Sequence, residues 1–332
     1  TLKGWMTVSL IAAATLALGG CAGIGGKKVY HVGILSGLDW FAPAADGFKS
    51  KMTELGYVEG DNIVYDLQST TVDLKAYQTV LQKFVQDKVD LIFVFPTEAA
   101  LEAKAATQGT NIPVVFDLAA IDIEGQNLID SVSHPGGNIT GVRFPGADIS
   151  SKRLEILLEC APEVKRIFVP YLKDYPTVPS QLTAIEQRAS ALGVTLIEYA
   201  TTSPQDLQAE MDRRAGLSDI GLDAIMLIAE PLSITPDFVA VLGKFAYERK
   251  LPMGGAPTSA GDYTTFFGLI PDALETGRLA AVLADKILRG TSAGTIPVVS
   301  PEGYLSFYLP AAQAMGVTIP QGLLAQANEV VR

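Results

Sequence analysis

Two carboxylates stand where apolar, strand-like runs of the sequence end. Glu230 follows the run "DAIMLIA", and Asp117 ends the run "PVVFD". A carboxylate at such a position can pair with an ammonium group through a charge-assisted hydrogen bond. It can also cap the next helix or accept from the amides of a hinge. We predict a ligand contact at Glu230. Asp117 is a second candidate, for which the structural role is favoured.

Hydroxyl side chains at two other strand ends could hold an anion. Ser36 and Thr97 each end a strand just before a helix, and Glu98 falls in the first turn of the second of these helices. A helix N-terminus offers free N–H groups and a partial positive charge, so it can hold a carboxylate without an arginine. The alternative is that Ser36 and Thr97 only cap their own helices, and that Glu98 only complements the helix dipole.

Aromatic side chains occupy the loops around these strand ends. Trp40 and Phe41 lie in the first loop, Tyr171 and Tyr175 flank "LKD" in a later one, and Phe267 lies in "TTFFGL". Such rings can stack on a flat or apolar ligand, or on an ammonium group. They can equally fasten a loop to its helix, lie on the surface, or fill the core. All five are retained as candidate ligand contacts.

Metal and catalytic sites are not indicated. His31 and His134 have no Cys, His or carboxylate partner at metal-ligand spacing. The chain has no Gly-x-Ser-x-Gly motif, and "GGNITGV" lacks the preceding strand of a nucleotide-binding loop. Cys160 lies in the helical pattern "RLEILLECAPEV", which is typical of a buried, inert thiol. The sequence therefore predicts no metal, no cofactor and no enzymatic activity.

The composition fits a folded, acidic protein. The chain has 332 residues, of which 48% are apolar and 18% charged, and its formal net charge is −11. This length allows one large or two medium domains. Nucleic acid is not an expected partner, because phosphate binding needs clustered lysine and arginine side chains.

The N-terminal segment is typical of export and anchoring. The apolar run "WMTVSLIAAATLAL" follows Lys3 and suits the core of a signal peptide rather than a membrane-spanning helix. The run ends at Leu18, and the residues "LGGC" (18–21) are similar to a bacterial lipobox, in which cleavage leaves Cys21 as a lipidated N-terminus. An ordinary signal peptide is the alternative. We predict a signal peptide over 1–20, a tether over 21–28, and an extracytoplasmic protein anchored to the membrane by a lipid on Cys21.

Strand-like and helix-like segments alternate from Val29 onward. The β-rich runs "VYHVGILS", "DNIVYDLQST", "VDLIFVFP" and "IPVVFDLA" are separated by segments with helical spacing, and the alternation restarts after "GGNITGVRF". Two consecutive sets of βα units predict an α/β fold with two parallel sheets, each flanked by helices. Loops at the carboxyl ends of parallel strands lie on one side of a sheet. We therefore expect two lobes that face each other across a cleft suited to a small molecule.

Several of these segments together resemble a known family. The stretches "GFKSKMTELGYVEGDNIVYD", "VDLIFVFPTEAA", "HPGGNITGV", "RLEILLECAPEVKRI" and "AQAMGVTIPQGLLAQANEVV" are similar to substrate-binding lipoproteins of ABC transporters, and the similarity spans nearly all of 29–331. The resemblance implies the two-lobed periplasmic-binding-protein type I fold with a three-crossover hinge. It implies lobe one at 29–143 and 259–290, and lobe two at 144–258 and 291–332.

The resemblance also implies a function. Proteins of this family capture a small solute outside the cytoplasmic membrane by hinged closure and deliver it to ABC permease subunits. The branch that the chain resembles binds aromatic or other apolar amino acids, which makes an aromatic or branched apolar amino acid the expected ligand. The segments "YLPAAQAMG" and "GAPTSAGDYTTFFG" depart from the family's usual pattern. The alternative is a ligand-sensing lipoprotein that signals to a membrane receptor. A monomer is expected, because closure needs free lobes.

Overall fold

The structure, a computed structural model, describes residues 28–332. The predicted signal peptide, the lipidation site Cys21 and most of the predicted tether lie outside the described residues. Across 28–332, no helix combines the length and the hydropathy that crossing a membrane requires. These residues form two lobes, each built on a parallel sheet flanked by helices, and this confirms the predicted fold class.

Lobe one is built on five parallel strands. They are β1 (Tyr30–Ser36), β2 (Ile63–Ser69), β3 (Leu91–Phe95), β4 (Val114–Ala119) and β5 (Ile139–Arg143). They lie side by side in the order β2-β1-β3-β4-β5. Helices connect the first four of them, namely α1 (Pro43–Glu54), α2 (Leu74–Gln86) and α3 (Thr97–Ala106). Every residue of β3 and β4 is buried, because apolar clusters cover both faces of the sheet.

Lobe two repeats this plan with four strands. They are β6 (Arg166–Leu172), β7 (Thr195–Thr201), β8 (Ala224–Met226) and β9 (Met253–Gly254), in the spatial order β7-β6-β8-β9. Its helices are α4 (Gly146–Cys160), α5 (Val178–Leu192), α6 (Pro204–Ala215) and α7 (Pro236–Arg249). One continuous apolar core joins these helices to the sheet.

The remaining elements connect the lobes and close the fold. A short antiparallel hairpin, β10 (Ser259–Ala260) and β11 (Tyr263–Thr264), precedes β12 (Phe267–Ile270) and the long helix α8 (Ala273–Leu288). The chain ends with β13 (Tyr304–Tyr308), α9 (Leu309–Ala314), α10 (Gln321–Gln326) and β14 (Glu329–Val331). Strands β12, β13 and β14 form a third sheet, in which β12 and β13 are antiparallel.

The second and third crossings between lobes differ from the predicted boundaries. Phe266 and Phe267 pack in the core of lobe two, whereas Ala293 and Ile296 pack in the core of lobe one. Consequently the chain leaves lobe two after β12 and returns to it just before β13. The reason is the pairing of Phe267 in β12 with Phe307 in β13, since two strands of one sheet must lie in the same lobe.

Helix α8 lies on lobe one because two glycines allow it to approach α1. A Cβ on Gly47 would overlap the backbone carbonyl of Leu274, and a Cβ on Gly277 would overlap that of Ala44. No other residue fits at either position without moving a backbone. The contact fixes the start of α8 on lobe one, next to the crossing that follows β12.

Candidate functional site

A cavity of about 430 Å³ lies between the lobes, where the loops after β1, β2 and β3 and the end of β4 meet the loops after β6 and β8. Most of its wall is apolar, contributed from lobe one by Leu38, Trp40, Phe41, Val72, Pro96 and Leu118, and from lobe two and the crossings by Phe144, Leu172, Ala229, Ile234 and Ile270. An enclosed apolar wall with a few polar groups is typical of a site for a small organic ligand.

The first loop supplies two of the aromatic side chains. Trp40 and Phe41 lie on a short 3-10 helix, Asp39–Phe41, directly after β1. Phe41 is buried and its ring lies 6.3 Å from that of Phe144, centroid to centroid. Trp40 is 40% exposed, which places it at the mouth of the cavity. The loop therefore offers one ring inside the cavity and one at its entrance.

The start of α3 brings Thr97 and Glu98 to the cavity. Thr97 Oγ1 accepts a hydrogen bond from the amide of Ala120 at 2.9 Å, which leaves its own proton free to donate. Glu98 Oε1 accepts from the Tyr175 hydroxyl of lobe two at 3.0 Å. Burial and the charge of Glu98 raise the pKa of Tyr175, so this hydroxyl stays protonated as the donor. The bond joins the two lobes across the cleft.

Glu230 is a buried carboxylate with an unused oxygen. It caps the 3-10 helix Pro231–Ile234, where its Oε2 accepts from the amide of Leu232 at 3.0 Å. Its Oε1 is buried and makes no hydrogen bond of normal geometry with residues 28–332, although the amide of Leu172 lies near enough to lower the pKa of the carboxyl group. Burial raises the pKa of Glu230 to about 7, against the opposing effects of nearby amides and Arg153. An unpartnered carboxylate oxygen on a cavity wall is suited to receive a cationic donor.

Arg153 of α4 also contributes to the cavity wall, and the sequence analysis did not identify it. Its side chain has no exposed surface. Nε and Nη2 donate to the carbonyl of Leu269 at 3.0 and 2.8 Å, and Nη1 donates to the carbonyl of Leu227 at 3.0 Å. Burial lowers the pKa of Arg153 to about 9, while the charge of Glu230 opposes this shift. The arginine is thus a buried cation that compensates part of the charge of Glu230.

A signal for Arg153 is present in the sequence. In α4 the buried apolar side chains follow helical spacing, and Arg153 falls within their stripe, which consists of Ile149, Leu154, Ile156, Leu157 and Cys160. A cation on the apolar face of a helix must find internal partners or a ligand, because burial of an unpaired charge is costly. Leu118 was also missed. It lines the cavity with a left-handed backbone (φ 50°) at an irregularity of β4, for which we found no sequence signal.

The structure places six of the predicted residues at the cavity: Trp40, Phe41, Thr97, Glu98, Tyr175 and Glu230. Four others do not line it. Phe267 packs in the core of lobe two against the rings of Phe266 and Phe307, with centroids 4.9 and 6.3 Å apart. Tyr171 is part of β6 and packs partly buried on the same core.

The other two residues away from the cavity are buried in lobe one. Ser36 is the last residue of β1 and is 1% exposed. Asp117 lies within β4, fully buried, and its Oδ2 accepts from the hydroxyl of Thr276 in α8 at 3.0 Å. This hydrogen bond ties the sheet to the helix that follows the second crossing, and it is neither the helix cap nor the contact with hinge amides that the sequence analysis considered.

The buried Asp117 gives a testable pH dependence of stability. Burial raises its pKa from 3.8 to about 8, so the folded protein holds this proton more tightly than the unfolded chain. Its contribution to stability is fully present below pH 3.8 and is lost as the pH rises towards 8. We expect Asp117→Asn to raise the free energy of unfolding by about 2 kcal/mol at pH 8, with little change at pH 4. Urea unfolding at both pH values measures this, and an equal effect at the two would contradict it.

Within residues 28–332, no three His, Cys, Asp or Glu side chains lie close enough together to hold a metal ion. Cys160 is buried in lobe two, and burial raises the pKa of its thiol to about 12. The cleft presents an apolar wall and two carboxylates, with a buried guanidinium behind them.

Comparisons with solved structures agree with the two-lobed architecture. The chain is similar to a structure from Streptococcus pneumonia in complex with L-Trp (22% identity, TM-score 0.75), which covers 92% of this chain and 100% of that one. A ligand-free, open substrate-binding protein with adhesive properties from Clostridium difficile has 24% identity and a TM-score of 0.71, over 91% of this chain and 99% of that one.

The sequence comparisons identify the family. A curated relative, the tyrosine-binding protein of Clostridioides difficile (strain R20291), is 27% identical over 259 residues, which are 77% of this chain and 71% of that protein. Residues 35–331 match the model of a family described as ABC transporter substrate binding protein. This confirms the predicted resemblance and agrees with the expectation of a binding protein rather than an enzyme. The chain belongs to the ABC transporter substrate binding protein family.

Proposed function

We propose that this protein captures an aromatic or branched apolar amino acid outside the cytoplasmic membrane and delivers it to an ABC permease. The observation that carries the proposal is Glu230, a buried carboxylate whose Oε1 has no partner among residues 28–332, set in an otherwise apolar cavity between the lobes. The relatives support it, since one is named a tyrosine-binding protein and another was solved in complex with L-Trp.

An amino acid with an apolar side chain fits the groups around this cavity. Its ammonium would donate to Glu230 Oε1, a charge-assisted hydrogen bond between buried groups. Its carboxylate would lie at the N-terminus of α3, where the hydroxyl of Thr97 keeps a free proton. Its side chain would contact the apolar wall, with Trp40 and Phe41 on one side.

Hinged closure follows from the position of the cavity. A ligand that contacts Glu230 in lobe two and Thr97 in lobe one interacts with both lobes only when they are close. Such a ligand shifts the population towards the closed form. The bond between Glu98 and Tyr175 would add to the stability of that form. We propose that the protein acts as a monomer and that a lipid on Cys21 holds it at the membrane surface. The permease would then recognise the closed form.

Ligand class is tested by thermal unfolding of the purified protein with a panel of amino acids, sugars and small organic acids, followed by calorimetric titration. Ligands that bind only the folded state stabilise it by about 2.7 kcal/mol at a hundred times their dissociation constant. The expected result is a rise in Tm with aromatic or branched apolar amino acids alone. A rise with a sugar or a dicarboxylic acid alone would overturn the proposed ligand class.

The raised pKa of Glu230 predicts that the affinity for such an amino acid depends on pH. The ligand's ammonium needs the ionised carboxylate, and below pH 7, near the pKa of Glu230, a bound proton must first leave. The affinity should therefore fall as the pH is lowered, by up to tenfold for each pH unit below 7 and by about 100-fold between pH 8 and pH 5. Calorimetric titration over this range measures it, and a flat profile would contradict the role of Glu230.

A further inference from the structure

The charged side chains at the cavity are two carboxylates and one guanidinium, and they differ in how accessible they are to a ligand. Glu98, Glu230 and Arg153 are the charged residues that line it within residues 28–332. Glu230 is 6% exposed with a free Oε1, and Glu98 lies opposite it on lobe one. Both carboxylates and Tyr175 line this one cavity, and the Tyr175 hydroxyl donates to Glu98 at 3.0 Å.

The guanidinium does not offer its nitrogens to a ligand. Nε, Nη1 and Nη2 of Arg153 all donate to the backbone carbonyls of Leu227 and Leu269, and the side chain has no exposed surface. Nη1 and Nη2 each keep one N–H, but because the guanidinium has no exposed surface it cannot form a bidentate pair with a ligand carboxylate. The cation acts from behind the wall, where it offsets part of the charge of Glu230.

Three of the five hydroxyl groups that line the cavity are committed as donors, whereas those of Thr97 and Thr177 only accept and keep a free proton. Tyr175 donates to Glu98, Ser233 to the carbonyl of Glu230, and Thr235 to the carbonyl of Pro231. Each hydroxyl has one proton, so none of these three can donate to a ligand in the same arrangement. A cation therefore meets two carboxylates at the cavity, whereas an anion meets only uncharged donors, namely the hydroxyls of Thr97 and Thr177 and the first amides of α3.

We infer that recognition rests on the ammonium group and the apolar body of the ligand, and that the site also binds arylalkylamines, which lack a carboxylate. This inference rests on the proposed function, because it concerns the same cavity. An arylalkylamine presents one cationic donor to Glu230 Oε1 and an apolar ring to the wall. It leaves the free protons of Thr97 and Thr177 to water, which costs little in comparison with an unpaired charge.

A matched ligand series on the unaltered protein separates the two head groups. L-tryptophan carries both, tryptamine lacks the carboxylate, and indole-3-propionate lacks the ammonium, while all three share the indole ring. Leucine, isoamylamine and 4-methylpentanoate form the corresponding aliphatic series. Calorimetric titration at pH 8 is expected to give amines within tenfold of the affinity of their amino acids, and acids at least 100-fold weaker.

The outcomes of this series are distinct. Amines that bind more than tenfold more weakly than their amino acids would overturn the inference and leave the proposed function standing. Failure of both amino acids and both amines to bind would overturn the two together. Glu230→Gln should weaken the binding of the amine at least 100-fold, whereas Asp237→Asn, at an exposed carboxylate near the cleft, should change it less than threefold. Equal losses in the two variants would contradict the inference.

Discussion

Replacement of Glu230 with glutamine is expected to weaken the binding of an apolar amino acid about 100-fold at pH 8, equivalent to about 2.8 kcal/mol. Glutamine keeps the shape of the side chain and a carbonyl oxygen that can still cap the helix at Leu232. It removes the charge that the ligand's ammonium would meet. Removal of one partner of a buried, charged hydrogen bond typically costs 2–5 kcal/mol of binding free energy, roughly the size expected here.

The effect of Glu230→Gln on the unfolding temperature shows whether a loss of affinity is due to misfolding. Burial raises the pKa of Glu230 from 4.5 to about 7, so its contribution to stability is lost as the pH rises through this range. The glutamine variant should therefore unfold at the same or a higher temperature than the wild type at pH 8. Asp237→Asn provides a matched loss of charge at an exposed position. Retention of full affinity by Glu230→Gln would remove this carboxylate from the site.

The sequence predicts much of the fold because the signal for parallel sheets is local. Buried strands such as β3 are continuous apolar runs, and helical spacing separates them. The second and third crossings could not be placed in the same way. The pairing of Phe267 with Phe307 joins strands that are far apart in the chain, and no local pattern reports it.

The residues of the candidate site could be predicted from the sequence only where the end of the preceding strand could be predicted. Thr97, Tyr175 and Glu230 all lie beyond the last residue of the strand before them, so their side chains reach the cleft. Asp117 and Tyr171 lie within strands, so the sheet holds them in the core or on its flank. A shift of one or two residues in a strand boundary decides between these outcomes, and boundaries are the least certain part of a sequence pattern.

Arg153 carries the second large expected effect. Replacement with methionine, which has a similar length and no donors, would leave the carbonyls of Leu227 and Leu269 without their bonds and Glu230 without a nearby cation. Removal of one member of a buried charged set typically costs about 3–5 kcal/mol, and we expect a loss of this size in the free energy of unfolding. Urea unfolding measures it. Arg153→Lys keeps the charge but makes fewer hydrogen bonds, so its free energy of unfolding should lie between those of the wild type and Arg153→Met. If Arg153→Met is as stable as the wild type, Arg153 does not have the structural role described here.

The double variant Arg153→Met with Glu230→Gln separates the two parts of this loss. If the cation mainly compensates Glu230, neutralising Glu230 should restore about 1–2 kcal/mol of stability; if the carbonyl bonds dominate, the double variant should be as unstable as Arg153→Met. The electrostatic part also reaches the ligand. Arg153 lowers the pKa of Glu230, so its removal should raise that pKa further and weaken amino-acid binding more at pH 7 than at pH 8.5. Equal weakening at both pH values would mean that Arg153 supports the cavity by packing rather than by charge.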